Sequence, residues 1–335
     1  MTSRSLRRGS PLRLQAALLA MLVVGCSRPP GPLSGGAPAS ATPAVEGLTL
    51  RDWPSEPCVD AVDAGAPRLR IVSAAPSVTE ICCALGLRDQ IVGRTRYCVH
   101  PPEVSGVPSI GALLDTNVEA LLALKPDLVI LAGTSRLMAD RLAPLPLRIE
   151  SLPDAALEDI WTSIRRVGEL TGRQRSAQRL IDGIRAELDA VVSQRKRRDA
   201  ARVLITPAVL STPPAPPTVA GPGSFYDDLL KLGGLRNAAP QGHRGFAALS
   251  LEALTRIDPD VIIELDPDGR ARPGGHADAL AAWSAVGPLR AVRERRVFAL
   301  RGGEHYLPGP RVAGTLHAIC TLVDGPPDAA GGGAR

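Results

Sequence analysis

Twice along this chain a helix start, a Pro-Asp turn and a buried strand follow one another in the same order. Residues 119–130 read EALLALKPDLVI, and residues 252–263 read EALTRIDPDVII. In each, an apolar stripe at helical spacing stops at a proline, which cannot continue a helix. The run after the aspartate is short, apolar and rich in branched residues, as a strand covered on both faces must be. A second pair of phrases echoes too: LGLRD from Leu85 and LGGLRN from Leu232 each close a helix. Phrases repeated in order restrict the fold to two related α/β lobes, Rossmann-like, each with a mainly parallel sheet covered by helices. Each lobe then presents one glutamate at a comparable place, Glu119 and Glu252.

The other segments fit that plan. Leu69 to Ala74 reads as a strand, and Ser77 with Glu80 three residues on reads as a capping box opening a helix that Gly86 closes. Ile91 to Thr95 is the next strand, and Asn117 caps a helix running to about Leu124. In the second half Arg202 to Thr206, Val261 to Leu265 and Arg296 to Leu300 read as strands. Phe225 to Leu232 and Pro310 to Leu322 read as helices, and Ser250 caps the helix carrying Glu252. Between the halves, Asp154 to Arg198 holds apolar residues at helical spacing: Ile160, Ile164 and Val167, then Leu180, Ile184, Leu188 and Val191. Thr171 and Gly172 could interrupt it. A helix from Arg173 to Gln194 would be about 33 Å long at ~1.5 Å per residue, enough to cross from one lobe to the other. Lobes joined by such a rod are expected to move little on binding.

The ends are of another kind. Arg4, Arg7, Arg8 and Arg13 precede an apolar run from Ala16 to Val24, too short to span a bilayer and typical of an export signal. It ends in Leu22-Val23-Val24-Gly25-Cys26, which resembles a bacterial lipobox, with Cys26 as the lipidated residue. The formal charge of +5 falls to +1 once those four arginines leave. No footprint for nucleic acid survives. The basic run at 195–198 reads as a solvated helix end. Cys58, Cys82, Cys83, Cys98 and Cys320 do not have the spacing of a zinc site, and export permits disulfides among them. The expected organisation is a signal peptide over 1–25, a lipidated, Pro/Gly/Ala-rich tether over 26–67, an N-terminal lobe over 68–153, a bridging helix over 154–198, a C-terminal lobe over 199–323 and a disordered tail over 324–335.

Taken together, certain features resemble a known family. They are the Pro76-Ser77-Val78-Thr79-Glu80 start, the Thr95-Arg96-Tyr97-Cys98 and Pro101-Pro102 segment, the Asn117 helix with its Lys125-Pro126-Asp127 turn, the bridging helix, and the Arg295 to Phe298 strand. The chain is similar to the periplasmic binding proteins of cobalamin and ferric-siderophore ABC importers, the class with a helical backbone between its lobes. The resemblance implies a shallow cleft between the lobes and one acidic residue on each lobe that docks on arginines of a membrane permease. Those residues are Glu119 and Glu252, both at the second position of a capped helix. It also places Tyr97, Phe246, His305 and Tyr306 at the ligand cleft. With only three each of Phe, Trp and Tyr in the chain, aromatics gathered at cleft loops suit a flat macrocycle.

Two departures widen the expected ligand from cobalamin to a corrinoid, haem or ferric chelate. Tryptophan positions of the cobalamin-binding members fall at Ala132 or Gly133 and at Phe246. Their C-terminal disulfide has Cys320 at one end and a glycine near Gly233 at the other. The expectation is a monomeric, membrane-anchored lipoprotein of the periplasm or cell surface with no catalytic residue, no resident cofactor and no protein-held metal. Its partners are the permease and a metal chelate. Arg96, Arg244 and Arg311 keep an anionic siderophore in view. Two rivals remain: an exported hydrolase using Ser77 or Ser224, though no GxSxG elbow exists, and a scaffold that binds only protein. The Gly221-Pro222-Gly223-Ser224 loop could form an anion nest, but lacks the Lys-Ser/Thr of a P-loop.

Overall fold

The computed structural model describes residues 57–112, 115–133, 135–195 and 200–325. The expected leader, Cys26, most of the tether, residues 196–199 and the tail from 326 lie outside them. The first sheet is built from β1 (Ile71–Ser73), β2 (Ile91–Arg94), β3 (Leu128–Ala132) and β4 (Ile149–Leu152), with α1 (Pro76–Ala84), α2 (Val118–Ala123) and α3 (Arg136–Leu142) between them. After α4 (Leu157–Thr171) and α5 (Gln174–Gln194), the second half runs β5 (Arg202–Thr206), β6 (Thr218–Ala220), α6 (Phe225–Leu232), β7 (Arg236–Asn237), β8 (Phe246–Ala248), α7 (Leu251–Ile257), β9 (Val261–Asp266), α8 (His276–Ser284), α9 (Arg290–Arg293), β10 (Val297–Arg301) and α10 (Val312–Asp324).

Both main sheets are parallel, in the orders β2-β1-β3-β4 and β7-β5-β9-β10. Numbered within each lobe these are the same order, 2-1-3-4, with the glutamate-bearing helix ahead of the third strand each time. The Pro-Asp turn performs one task in both lobes. The amide of Arg70 donates to Asp127 Oδ2 at 2.7 Å, and that of Arg202 donates to Asp260 Oδ2 at 2.8 Å. Each aspartate thereby pins the start of the third strand to that of the first. The residue ahead of each proline closes its helix in the left-handed region, Lys125 at φ 45° and Asp258 at φ 43°. The small antiparallel pair β6-β8 is an addition of the second half.

Period-two alternation assigns the faces of the sheets. Val72, Val129 and Leu131 turn outward into a core with α2 and α3; Leu204, Ile262 and Val297 do the same in the second lobe, around Trp283. Ile71, Leu128, Ile130, Val203, Val261 and Ile263 turn the other way, into one core shared with α4 and α5. Ile160, Ile164, Val167, Leu180, Ile184, Leu188 and Val191 are all buried there, as their spacing requires. The rod is broken where the sequence suggested. Gly172, at φ 70°, closes α4, and α5 follows from Gln174.

Side chains far away in sequence hold both ends of α5. Asp63, in a short helical turn at Ala61–Gly65, accepts the Ser176 amide at 2.8 Å and its hydroxyl at 2.6 Å, capping the helix from outside. Burial pushes the Asp63 carboxyl up, but the Ser176 bonds and the Arg173 charge outweigh it, so the group sits below its ordinary value. At the other end Arg195 forks onto Asp324 of α10, with both bonds at 2.9 Å.

One expectation is corrected. Ser77 does not cap α1, because Pro76 takes the first helical position and puts Ala75 at the cap. Thr79 bonds Ala75 O and Ser73 Oγ instead, and Glu80 turns away to another partner.

Cys82, Cys83, Cys98 and Cys320 are free thiols. Gly233, at the end of α6, faces Cys320 in α10: a Cβ there would lie 3.3 Å from Cys320 Sγ and 3.2 Å from Leu316 Cδ1. Gly233→Cys is expected to form a disulfide with Cys320 and to stabilise the fold by about 2–4 kcal/mol, since the closed loop is long. Urea midpoints with and without reductant check this; a shift that reductant does not remove would refute it.

Candidate functional site

The site follows from the topology. In parallel sheets the loops that leave the carboxyl ends of the strands gather at one edge, where open α/β folds bind ligands. A pocket of about 210 Å³ lies there, lined by Ser77, Val78, Ile81, Ala132, Leu152, Pro153, Asp154, Ser163 and Pro308. The first residues follow β1, β3 and β4; Pro308 follows β10 in the second lobe. The pocket therefore lies at the carboxyl edge of the first sheet, with Pro308 reaching in from the second lobe.

Across it runs a buried ion pair. Glu80, 1 % exposed, accepts Arg311 Nη2 at 2.5 Å and Arg311 Nε at 3.1 Å. Burial pushes the Glu80 carboxyl above its ordinary value, and the Arg311 guanidinium opposes that without cancelling it. Arg311 also stands 3.7 Å from Glu304. His305, 4 % exposed, lies beside it, with Nδ1 3.3 Å from Thr315 Oγ1 and Nε2 3.7 Å from Glu304 Oε1. Burial lowers the pKa of His305, and it brings that of His100 down to about 4, so both imidazoles are neutral at neutral pH.

Three of the four expected ligand residues meet around one side chain that sequence reasoning missed. Tyr226, in α6, is buried and donates its hydroxyl to His305 O at 2.7 Å. The Phe246 ring stands edge-on to it at 6.2 Å, and Tyr306 lies within its electrostatic reach. Burial pushes the Tyr306 hydroxyl up to about 12. Phe246 and Tyr306 are both half-buried. Tyr97 is half-buried on the loop after β2, in the other lobe. A signal for Tyr226 existed in the Phe225-Tyr226 pair opening a helix, but nothing local shows which ring faces the cleft loops.

Glu119 and Glu252 are exposed. Asn117 Oδ1 accepts the Ala120 amide at 2.9 Å and Ser250 Oγ the Ala253 amide at 3.1 Å, so both helices are capped as expected. Each glutamate is the second helical residue. A helix returning the chain to a parallel neighbour starts at the carboxyl edge, which puts both glutamates on the cleft side of their lobes. Glu252 is 85 % exposed on its side chain and holds Arg256 one turn on at 2.7 Å.

Other candidates are occupied. The Gly223 amide donates to Asp227 Oδ2 at 3.2 Å and the Phe225 amide to Ala155 O at 2.7 Å, so the expected anion nest is filled from within. Arg96 is paired with Asp115. In the second lobe, wholly buried Glu264 accepts Arg272 Nε at 2.9 Å, the Trp283 indole at 2.8 Å and the Leu210 amide at 2.6 Å. An acid inside the apolar run from Val261 to Leu265 was the signal for that cluster, and it was not used.

A family profile described as periplasmic binding protein matches residues 71–302. An ABC transporter substrate-binding lipoprotein of Bacillus subtilis, itself uncharacterised, is 29% identical over 236 residues, covering 68% of this chain and 71% of its own. Among solved structures, the periplasmic vitamin B12 binding protein of Vibrio cholerae is 25% identical with a TM-score of 0.64, over 76% of this chain and 97% of its own. The periplasmic heme-binding protein of Roseiflexus sp. RS-1 is 28% identical with a TM-score of 0.63, over 76% and 98%.

Proposed function

This chain belongs to the periplasmic binding protein family, and from that premise we propose that it captures cobalamin or a related metal chelate and delivers it to the permease of an ABC importer. One observation supports the reading above the rest. Two lobes of the same strand order each carry an exposed glutamate in the first turn of the equivalent helix, and a pocket at the carboxyl edge of the first takes Pro308 from the second. In this reading Glu119 and Glu252 dock on the permease. Tyr97 offers a ring from one lobe and Phe246 and Tyr306 from the other, with His305 beneath them. Lipid on Cys26 holds the protein at the membrane surface as a monomer, since two or three acyl chains anchor where one does not. No helix of the described residues is long and apolar enough to cross a membrane.

Of the alternatives on the same scaffold, haem fits the neutral histidines and the aromatic wall as well as a corrinoid does. An anionic siderophore fits less well, because Asp115 and Glu80 already hold the positive charges of Arg96 and Arg311, which leaves exposed Arg244 alone of the three arginines. A hydrolase finds little to use: the Ser224 hydroxyl donates to Gly221 O at 2.8 Å and caps α6, and Ser77 lies inside α1.

Calorimetric titration of the purified full chain in detergent with cyanocobalamin, cobinamide, haem and a ferric siderophore tests the proposal. Binding at micromolar concentration or tighter by one of the first three is expected. Failure of all four removes its support, and binding of the siderophore alone replaces the cargo.

A further inference from the structure

Of the residues that line the pocket, Pro308 alone comes from the second lobe. What joins the lobes beside it therefore matters. The bridging helix joins the lobes on the shared-core side. On the cleft side the second lobe reaches the first through the Pro308 to Arg311 segment. A Cβ on Gly309 would lie 3.6 Å from Glu80 Oε2 and 3.8 Å from Ser77 Cβ, so the segment rests on the first turn of α1. Its only charged side chain, Arg311, then forks onto Glu80.

The geometry points to the Glu80–Arg311 pair as an inter-lobe clasp that sets the width of the cleft and, with it, the separation of Glu119 and Glu252. A strut along one side leaves a rotation about its own axis available. A bidentate contact on the opposite side removes that rotation, because guanidinium and carboxylate match in one planar arrangement only. Arg311 also has a second place to go. Glu304, in its own lobe, stands 3.7 Å away, so the arginine can leave Glu80 and keep a carboxylate beside it. The clasp can thus open without stranding the cation, and a bound macrocycle wider than the pocket would be accommodated by that opening. Glu80 and Arg311 are positioning residues in this account. The consequence for docking rests on the function proposed above; the clasp itself does not.

Spin labels on unnatural residues at exposed Asp140 and Arg270 report the spacing of the lobes in the purified full chain by pulsed dipolar spectroscopy, without touching either glutamate. The wild type is expected to give one narrow distance distribution. Glu80→Gln is expected to broaden it and shift it outward while the fold persists, since Glu304 still pairs Arg311. Should that variant fail to fold, the double variant Glu80→Met with Arg311→Met removes both charges, and such replacements are often neutral for stability. It should melt close to the wild type yet still show the broadened distribution. A wild-type distribution in either folded variant overturns the clasp. Because the readout needs neither ligand nor permease, failure of the transport reading leaves this result standing, and the converse holds.

Discussion

Replacing Glu119 and Glu252 together with alanine is expected to abolish uptake of the cargo while leaving its affinity for the isolated protein unchanged. The two positions contribute little to the fold. Each is exposed in the first turn of a helix, where a carboxylate complements the dipole by ~0.3–1 kcal/mol. The Glu252–Arg256 pair, with side chains 85 % and 73 % exposed, is a surface bridge of the kind worth about 0–1 kcal/mol. That weak internal pairing leaves Glu252 open to exchange for an arginine on a partner. Loss of one partner from a desolvated interfacial pair costs about 2–5 kcal/mol, at least about thirtyfold in affinity. Two such losses on separate lobes remove both the strength and the orientation of docking. Uptake in cells or vesicles, calorimetric affinity and the melting temperature of the purified variant together decide the matter. If affinity for cargo falls in parallel with uptake, the glutamates belong to the ligand site and the docking account fails.

Arg272→Met is expected to cost about 3–5 kcal/mol of stability, because it leaves the acid Glu264 wholly buried and without its counterion. No conformational escape is at hand. The Glu264 carboxylate is fixed by the Trp283 indole and the Leu210 amide as well as by Arg272, and Arg272 in turn donates to Leu210 O at 2.7 Å. Adding Glu264→Gln should recover much of the loss. The amide oxygen still accepts from Trp283 and Leu210, while the stranded acid is gone. Urea unfolding of the two variants measures both effects. A cost under ~1 kcal/mol for Arg272→Met alone would mean that water reaches the carboxylate, contrary to its burial.

Much of this protein was legible in its residues because much of it is local. Asn117 and Ser250 cap their helices through amides three residues on, Gly86 and Gly172 take left-handed conformations at helix ends, and the apolar stripe from Ile160 to Val191 is buried residue for residue. The failure at Ser77 was also local: a capping-box pattern and a proline competed for the same turn, and fixed backbone geometry at Pro76 prevailed. From the resemblance, Phe246, His305 and Tyr306 could be grouped together. Tyr226, which joins them, and the Glu80–Arg311 pair, 231 residues apart in the chain, could not.

The sequence by itself determined the two-lobed plan, the strut between the lobes and the first-turn placement of both glutamates, since periodicity, caps and turns act over a few residues. Only the tertiary structure decided that the two sheets share one strand order, that Asp63 and Asp324 clamp the ends of the strut, and which charges meet across the cleft. Those contacts form between residues scores of positions apart, and a carboxylate finds its guanidinium only after the backbone has brought both to the same buried place.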